Sequence, residues 1–132
     1  MPHGMRVVLA SRWLAATLCL SGCGGGVYLG FGSGFDDSPP SVELSTAATG
    51  VSAGQPAPFT AAASDENGVD HVTFFRVDAN GTTLLGRDFT APYEWSVIAP
   101  ADGRTTLTVF ARALDNAGNI ADSRAVTINV TP

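Results

Sequence analysis

The sequence predicts an all-β fold, a two-layer sandwich of about seven antiparallel strands. Three observations predict it. Between Leu107 and Val130 two arms alternate apolar and polar residues around the cluster Asp115-Asn116-Ala117-Gly118-Asn119, the pattern of a β-hairpin. From Ser41 onward, short runs rich in Val, Thr, Phe and Tyr recur between clusters of Gly, Asn, Asp and Pro. No stretch after Cys23 carries the 3.6-residue apolar period of a helix.

Taken in order, Ser41 to Ser45 alternates and reads as a first strand. Thr49 to Pro56 is turn-rich. Phe59 to Ala63 puts Phe59, Ala61 and Ala63 on one face, and Ser64 to Gly68 makes a loop. In the next strand, Asp70 to Val77, the adjacent Phe74 and Phe75 break the alternation, so it is buried on both faces or bulged. Asn80-Gly81 is the preferred pair for a tight hairpin turn, because both residues tolerate positive φ. Thr82 to Phe89 returns from that turn, Thr90-Ala91-Pro92 connects, and Tyr93 to Val97 puts Tyr93, Trp95 and Val97 on one face. Pro100 to Gly103 turns into the final hairpin.

Seven short strands with regularly spaced turn signals are the profile of an immunoglobulin-like sandwich. One face of each sheet must be apolar. The expected core is therefore Val42, Leu44, Phe59, Ala61, Val72, Phe74, Tyr93, Trp95, Leu107, Val109, Ala111, Val126, Ile128 and Val130. Truncating Phe74 or Trp95 is expected to cost about 3–5 kcal/mol where the ring is fully buried.

The N-terminus has a different character. Arg6 and Arg12 precede an apolar run from Trp13 to Leu20, and small residues follow. That is the arrangement of a secretory signal peptide, and the run is shorter than the roughly 20 residues a spanning helix needs. Leu20-Ser21-Gly22-Cys23 then resembles a bacterial lipobox. The resemblance implies cleavage before Cys23 and lipidation of its sulfur. The residue types suit that chemistry: Ser21 and Gly22 are small enough for an extended backbone to enter a membrane-embedded protease, and a thiol is the nucleophile that takes the lipid. An ordinary signal peptide whose cleavage site happens to precede a cysteine is the alternative.

Domains are expected at 1–22 (signal peptide), 23–38 (Cys23 and a Gly-rich linker) and 39–132 (the β domain). Cleavage before Cys23 removes Cys19, so the mature chain has no disulfide. The linker carries Val27, Tyr28, Leu29, Phe31 and Phe35 among its glycines, more apolar than a plain tether. Such a segment either packs on the domain or bilayer, or serves as a strand for a partner.

After Cys23 there are five arginines, no lysine and all twelve acidic residues, a net charge of −7. An acidic surface without basic clusters argues against nucleic acid and anionic lipid as partners.

Four pieces occur in order: Ala63 to Val69, Val72-Thr73-Phe74-Phe75, Thr90-Ala91-Pro92-Tyr93, and Ala111 to Asn119. Together they make Pro39 to Thr131 resemble the bacterial Ig-like domain of secreted and surface proteins. That resemblance implies a spacer or adhesion module without catalytic residues. With the lipobox it implies a lipoprotein at the cell envelope. Gly24, where an aspartate would retain many lipoproteins at the inner membrane, favours the outer membrane facing the periplasm. Secretion or surface exposure is the alternative. The implied partners are the membrane, through the lipid, and a protein or glycan at the envelope. An assembly subunit that pairs by strand addition and a carbohydrate-binding module are the other functional readings.

Few residues invite chemistry. The Asp65 and Asp115 loops are expected at the same end of the sandwich, where their oxygens can surround Ca²⁺. Closure of each turn on its own backbone is the preferred reading, with no cofactor. Ser64, Asp65, Asp70 and His71 can be assembled on paper into a triad, but no nucleophile elbow, metal-spaced histidine pair or phosphate loop is present, and no enzyme activity is expected. Phe75, Phe110 and Leu114 are expected to point outward, a mark of an interface if they form one patch.

Overall fold

The computed structural model describes residues 36–132, which form one compact unit. The expectations for Leu20, Ser21, Gly22, Cys23 and the linker as far as Phe35 lie outside the described residues. Nine strands are present among the described residues: β1 (Ser41–Ser45), β2 (Gly50–Ser52), β3 (Pro56–Ser64), β4 (Val69–Asp78), β5 (Gly81–Asp88), β6 (Tyr93–Ile98), β7 (Thr106–Asp115), β8 (Ile120–Asp122) and β9 (Val126–Thr131). They make two sheets, β1-β3-β6 and β2-β9-β7-β4-β5, with β8 also on β7. The all-β sandwich expected from the alternation is the fold observed.

The two additional strands have local causes. Gly50 to Ser52, read as turn, pairs parallel with Asn129 to Thr131. Three residues are too few for an alternation to be legible. The last arm of the C-terminal hairpin is interrupted into β8 and β9, both on β7. At the interruption the Ser123 amide donates to the Ala111 carbonyl (2.8 Å), and the Ser123 hydroxyl accepts from the Ala111 amide (2.9 Å). A side-chain oxygen thus replaces one rung of the ladder.

The β4–β5 hairpin also differs from expectation. Asp78 pairs with Gly81, so the two-residue turn is Ala79-Asn80 rather than Asn80-Gly81. Asp78 Oδ1 closes it by accepting from the Asn80 amide (2.9 Å), and Gly81 opens β5 at φ +124°. Both alternatives for β4 hold at once. Val72, Thr73 and Phe74 are buried in succession, and the pairing with β5 shifts between Phe74 and Phe75, leaving Leu85 as the extra residue.

Phe59, Phe74, Val72, Leu107, Val109 and Val97 are the large apolar side chains fully enclosed between the sheets. Ala57, Ala99 and Ala113 join that core, although alternation did not single them out. Three expected core residues, Val42, Trp95 and Val126, are only half-buried at its margin. For Trp95 the cause is position. It lies on β6, an edge of the smaller sheet, and its ring reaches over Gly86 of β5 in the other sheet. A Cβ at Gly86 would overlap that ring. Phe74 backs the stack, its centroid 6.2 Å from that of Trp95.

Candidate functional site

β1 begins opposite the last residue of β3, Ser41 against Ser64. The chain therefore enters the domain beside the β3–β4 loop, and the β7–β8 turn lies at the same end. Asx-type bonds shape each piece. Asp65 Oδ1 accepts from the Asn67 amide (2.8 Å), and Asp36 Oδ1 from the Ser38 amide (3.0 Å). Asp115 Oδ1 accepts from the amides of Ala117 and Asn119, each at 2.8 Å.

Three asparagines stitch these pieces together. Asn116 Nδ2 donates to the Asn67 carbonyl (2.6 Å), and the Asn116 amide donates to the Gly68 carbonyl (3.0 Å). Gly68 is required there: its φ is +91°, and a Cβ would sit 2.7 Å from Asn116 Nδ2. Asn119 Nδ2 donates to Asp115 Oδ2 (2.9 Å) and to the carbonyls of Asp36 (2.8 Å) and Ser38 (3.2 Å). Asn67 Nδ2 holds Asp36 Oδ2 at 2.7 Å.

The expected pair Asp65 and Asp115 is thus brought together, and with a third member. Carboxylate oxygens of Asp36, Asp65 and Asp115 lie within 4.8 Å of one another. Asp115 is only 2% exposed, the others half-buried. Burial pushes the Asp115 carboxyl up, but the N–H donors of Asn119, Ala117 and Gly118 outweigh it and hold the group below the usual carboxylate range. Asp36 escaped sequence reasoning because 29 residues separate it from Asp65 and it reads as linker. The one local signal was Asp36-Asp37-Ser38, a polar run with a turn-former at each end.

The opposite end carries an ion-pair chain. Arg104 Nη1 meets Asp78 Oδ2 at 2.8 Å, Arg104 Nε meets Asp102 Oδ2 at 2.9 Å, and Arg76 Nη2 stands 3.4 Å from Asp78 Oδ2. The Arg104 bond, with that from the Asn80 amide, lowers the Asp78 pKa. Arg76, Asp78 and Arg104 line a cavity of about 310 Å³ together with Thr105, Thr106 and Thr108.

The paper triad does not assemble as hydrogen bonds. His71 Nδ1 meets its neighbour Asp70 Oδ2 at 2.7 Å, whereas Ser64 Oγ meets Ser41 Oγ at 2.9 Å. The expectation for Phe75, Phe110 and Leu114 fits the register. They alternate with buried inward residues, and the Phe75 and Phe110 rings stack at 5.0 Å.

The order of strands in the two sheets defines an immunoglobulin-like β-sandwich. Residues 40–109, more than half of the chain, match the family model of the bacterial Ig domain, and the chain belongs to that family. A chain among the fibronectin(III)-like modules of Clostridium thermocellum CbhA is 25% identical, with a TM-score of 0.58 over 69% of this chain and 96% of that one. A chain in the structural work on T cell specificity and activation by the bacterial superantigen toxic shock syndrome toxin-1 is 10% identical, with a TM-score of 0.53 over 69% and 98%. The second likeness is one of fold. No curated protein sequence matches the chain. Domains of the Ig-like and fibronectin(III)-like kind are typically non-catalytic.

Proposed function

We propose that this chain is a lipoprotein of the bacterial cell envelope, anchored through Cys23, whose Ig-like domain binds or spaces without catalysis. The observation that carries the reading is Leu20-Ser21-Gly22-Cys23 directly after a short apolar run and before a Gly-rich stretch leading into a family sandwich. Gly24 favours the outer membrane, with the domain in the periplasm. In this reading Asp36 is the described residue nearest the anchor along the chain. The Asp65 and Asp115 loops then serve to fasten the incoming chain, and their carboxylates close turns without a metal. The test is partition of the expressed protein with and without Cys23. Cys23→Ser is expected to abolish lipid labelling and to release the domain from the membrane fraction. Labelling that persists in the variant overturns the anchor.

A second reading, assembly by strand addition, has one observation in its favour. A groove of about 850 Å³ runs along edge strand β1, between Ser41 to Leu44 and Arg124 to Val126. An extended peptide can pair with such an edge. A carbohydrate-binding role draws little support, since Tyr93 is buried and Trp95 is folded over Gly86 rather than displayed in a row.

A further inference from the structure

The outer surfaces of the two sheets are built differently. On the smaller sheet the residues that alternate with core positions are Ser41, Glu43 and Ser45 on β1, Pro56, Pro58, Thr60 and Ala62 on β3, and Glu94, Ser96 and Ile98 on β6. That surface has no aromatic ring, its charges are acidic, and its one large apolar side chain is Ile98 at the end of β6. On the larger sheet the register sets Leu84, Phe75 and Phe110 side by side across β5, β4 and β7. The next row is Arg87, Thr73, Arg112 and Asp122, running from β5 to β8. The two rings stack at 5.0 Å, the Arg112 guanidinium lies 5.5 Å from the Phe75 centroid, and Leu84 is 50% exposed.

Of the twelve acidic residues in the chain, Asp122 alone takes an outward position in these rows, and Arg112 grips it with both Nε and Nη2. A surface with phenylalanine and arginine and little uncompensated acid, on a chain whose remaining surface is acidic, has the composition of an interface core. Arg87 has no ion-pair partner among the described residues.

We infer that this face of the larger sheet docks against the same face of a second copy of the chain. The argument for that occupant is self-complementarity. A two-fold axis lying between the faces, parallel to the strands, carries β5 of one copy over β8 of the other. Arg87 and Asp122 stand in one row at opposite edges of the sheet, so the operation brings Arg87 of each copy over Asp122 of the other. It also sets the Phe75 and Phe110 stack against its own image, at the roughly 10 Å spacing of packed sheets. Four overlapping strands at ~4.8 Å and ~8 residues at ~3.3 Å give about 500 Å² per copy. That is below the ~800 Å² of a standard interface, so the dimer is weak and reversible.

Sedimentation equilibrium of the full chain, carrying Cys23→Ser so that acyl chains cannot gather copies, tests this in a density-matched detergent. A monomer–dimer equilibrium is expected. Leu84→Arg and Arg87→Glu should each raise its dissociation constant by about tenfold or more while the melting midpoint stays unchanged. Thr60→Arg, on the smaller sheet, should leave it alone. An equimolar mixture of Arg87→Glu and Asp122→Arg chains restores both cross-contacts and should recover the wild-type constant within about threefold. A chain that is monomeric at every concentration, a dimer indifferent to Leu84→Arg and Arg87→Glu, or a mixture no tighter than its parents overturns the proposal.

Discussion

At one end of the sandwich Asp78 and Asp102 face Arg104, with Arg76 nearby. At the other, Asp36, Asp65 and Asp115 converge within 4.8 Å, and their bonds come from Asn67, Asn119 and backbone amides. The same side chain is held by ionic charge at one end and by oriented N–H dipoles at the other. Guanidinium pairs at a surface are screened by salt and yield little net stability. A buried carboxylate held by several N–H donors is less forgiving, because each donor left without an acceptor inside the fold carries its own penalty. The end that fastens the incoming chain is therefore the end where sequence is most constrained.

That contrast can be broken by substitution. Phe74→Ala, in the core common to both ends, sets the upper scale at about 3–5 kcal/mol. Asp115→Ala should come next, since it strands the amides of Ala117 and Asn119 and takes one of three acceptors from the Asn119 side chain. Asn119→Ala should follow, and should also free Asp36 and Ser38 from the domain, read as faster amide hydrogen exchange around Ser38. Arg104→Ala, at the ion-paired end, should lower the melting midpoint least, by an amount that shrinks further in high salt. An Arg104 effect as large as that of Asp115 would erase the distinction.

Titration sharpens it. The carboxyls of Asp115, Asp78 and Asp122 sit below their ordinary range in the fold, the last chiefly through its bond to Arg112. The unfolded chain then takes up these protons at a higher pH than the fold does. Their stabilisation is complete above the ordinary carboxylate pKa of about 4 and is lost as pH falls through the lowered values. Melting midpoints between neutral pH and pH 3 should be flat and then fall, with a shallower fall in Asp78→Asn. The smallest effect expected is that of calcium. If the three carboxylates close turns as read above, millimolar Ca²⁺ leaves the midpoint unchanged. A rise of several degrees, lost in Asp36→Asn, would make the same end a metal centre.

The features legible in the sequence were those with a local cause. Alternation in Leu107 to Val130, paired with the Asp115 to Asn119 turn, located the centre of the larger sheet. The twin phenylalanines announced the irregular pairing of β4. What escaped depends on partners far along the chain. β2 exists because β9 passes beside it, 79 residues from Gly50 to Asn129. Gly86 is a glycine because Trp95 of the other sheet occupies the space a Cβ would need. Asp36 joins Asp65 and Asp115 because Asn119 reaches back to it across 83 residues. Alternation reports which side of a strand faces inward, not what crosses from the other sheet or arrives from a terminus.

The anchoring proposed for this protein depends on where the mature chain begins. The direct measurement is mass spectrometry of the N-terminal peptide from protein made in bacterial cells. The account predicts a chain that starts at Cys23 and carries a diacylglyceryl group on its sulfur. A mature chain starting at any other residue, or an unmodified Cys23, would contradict it.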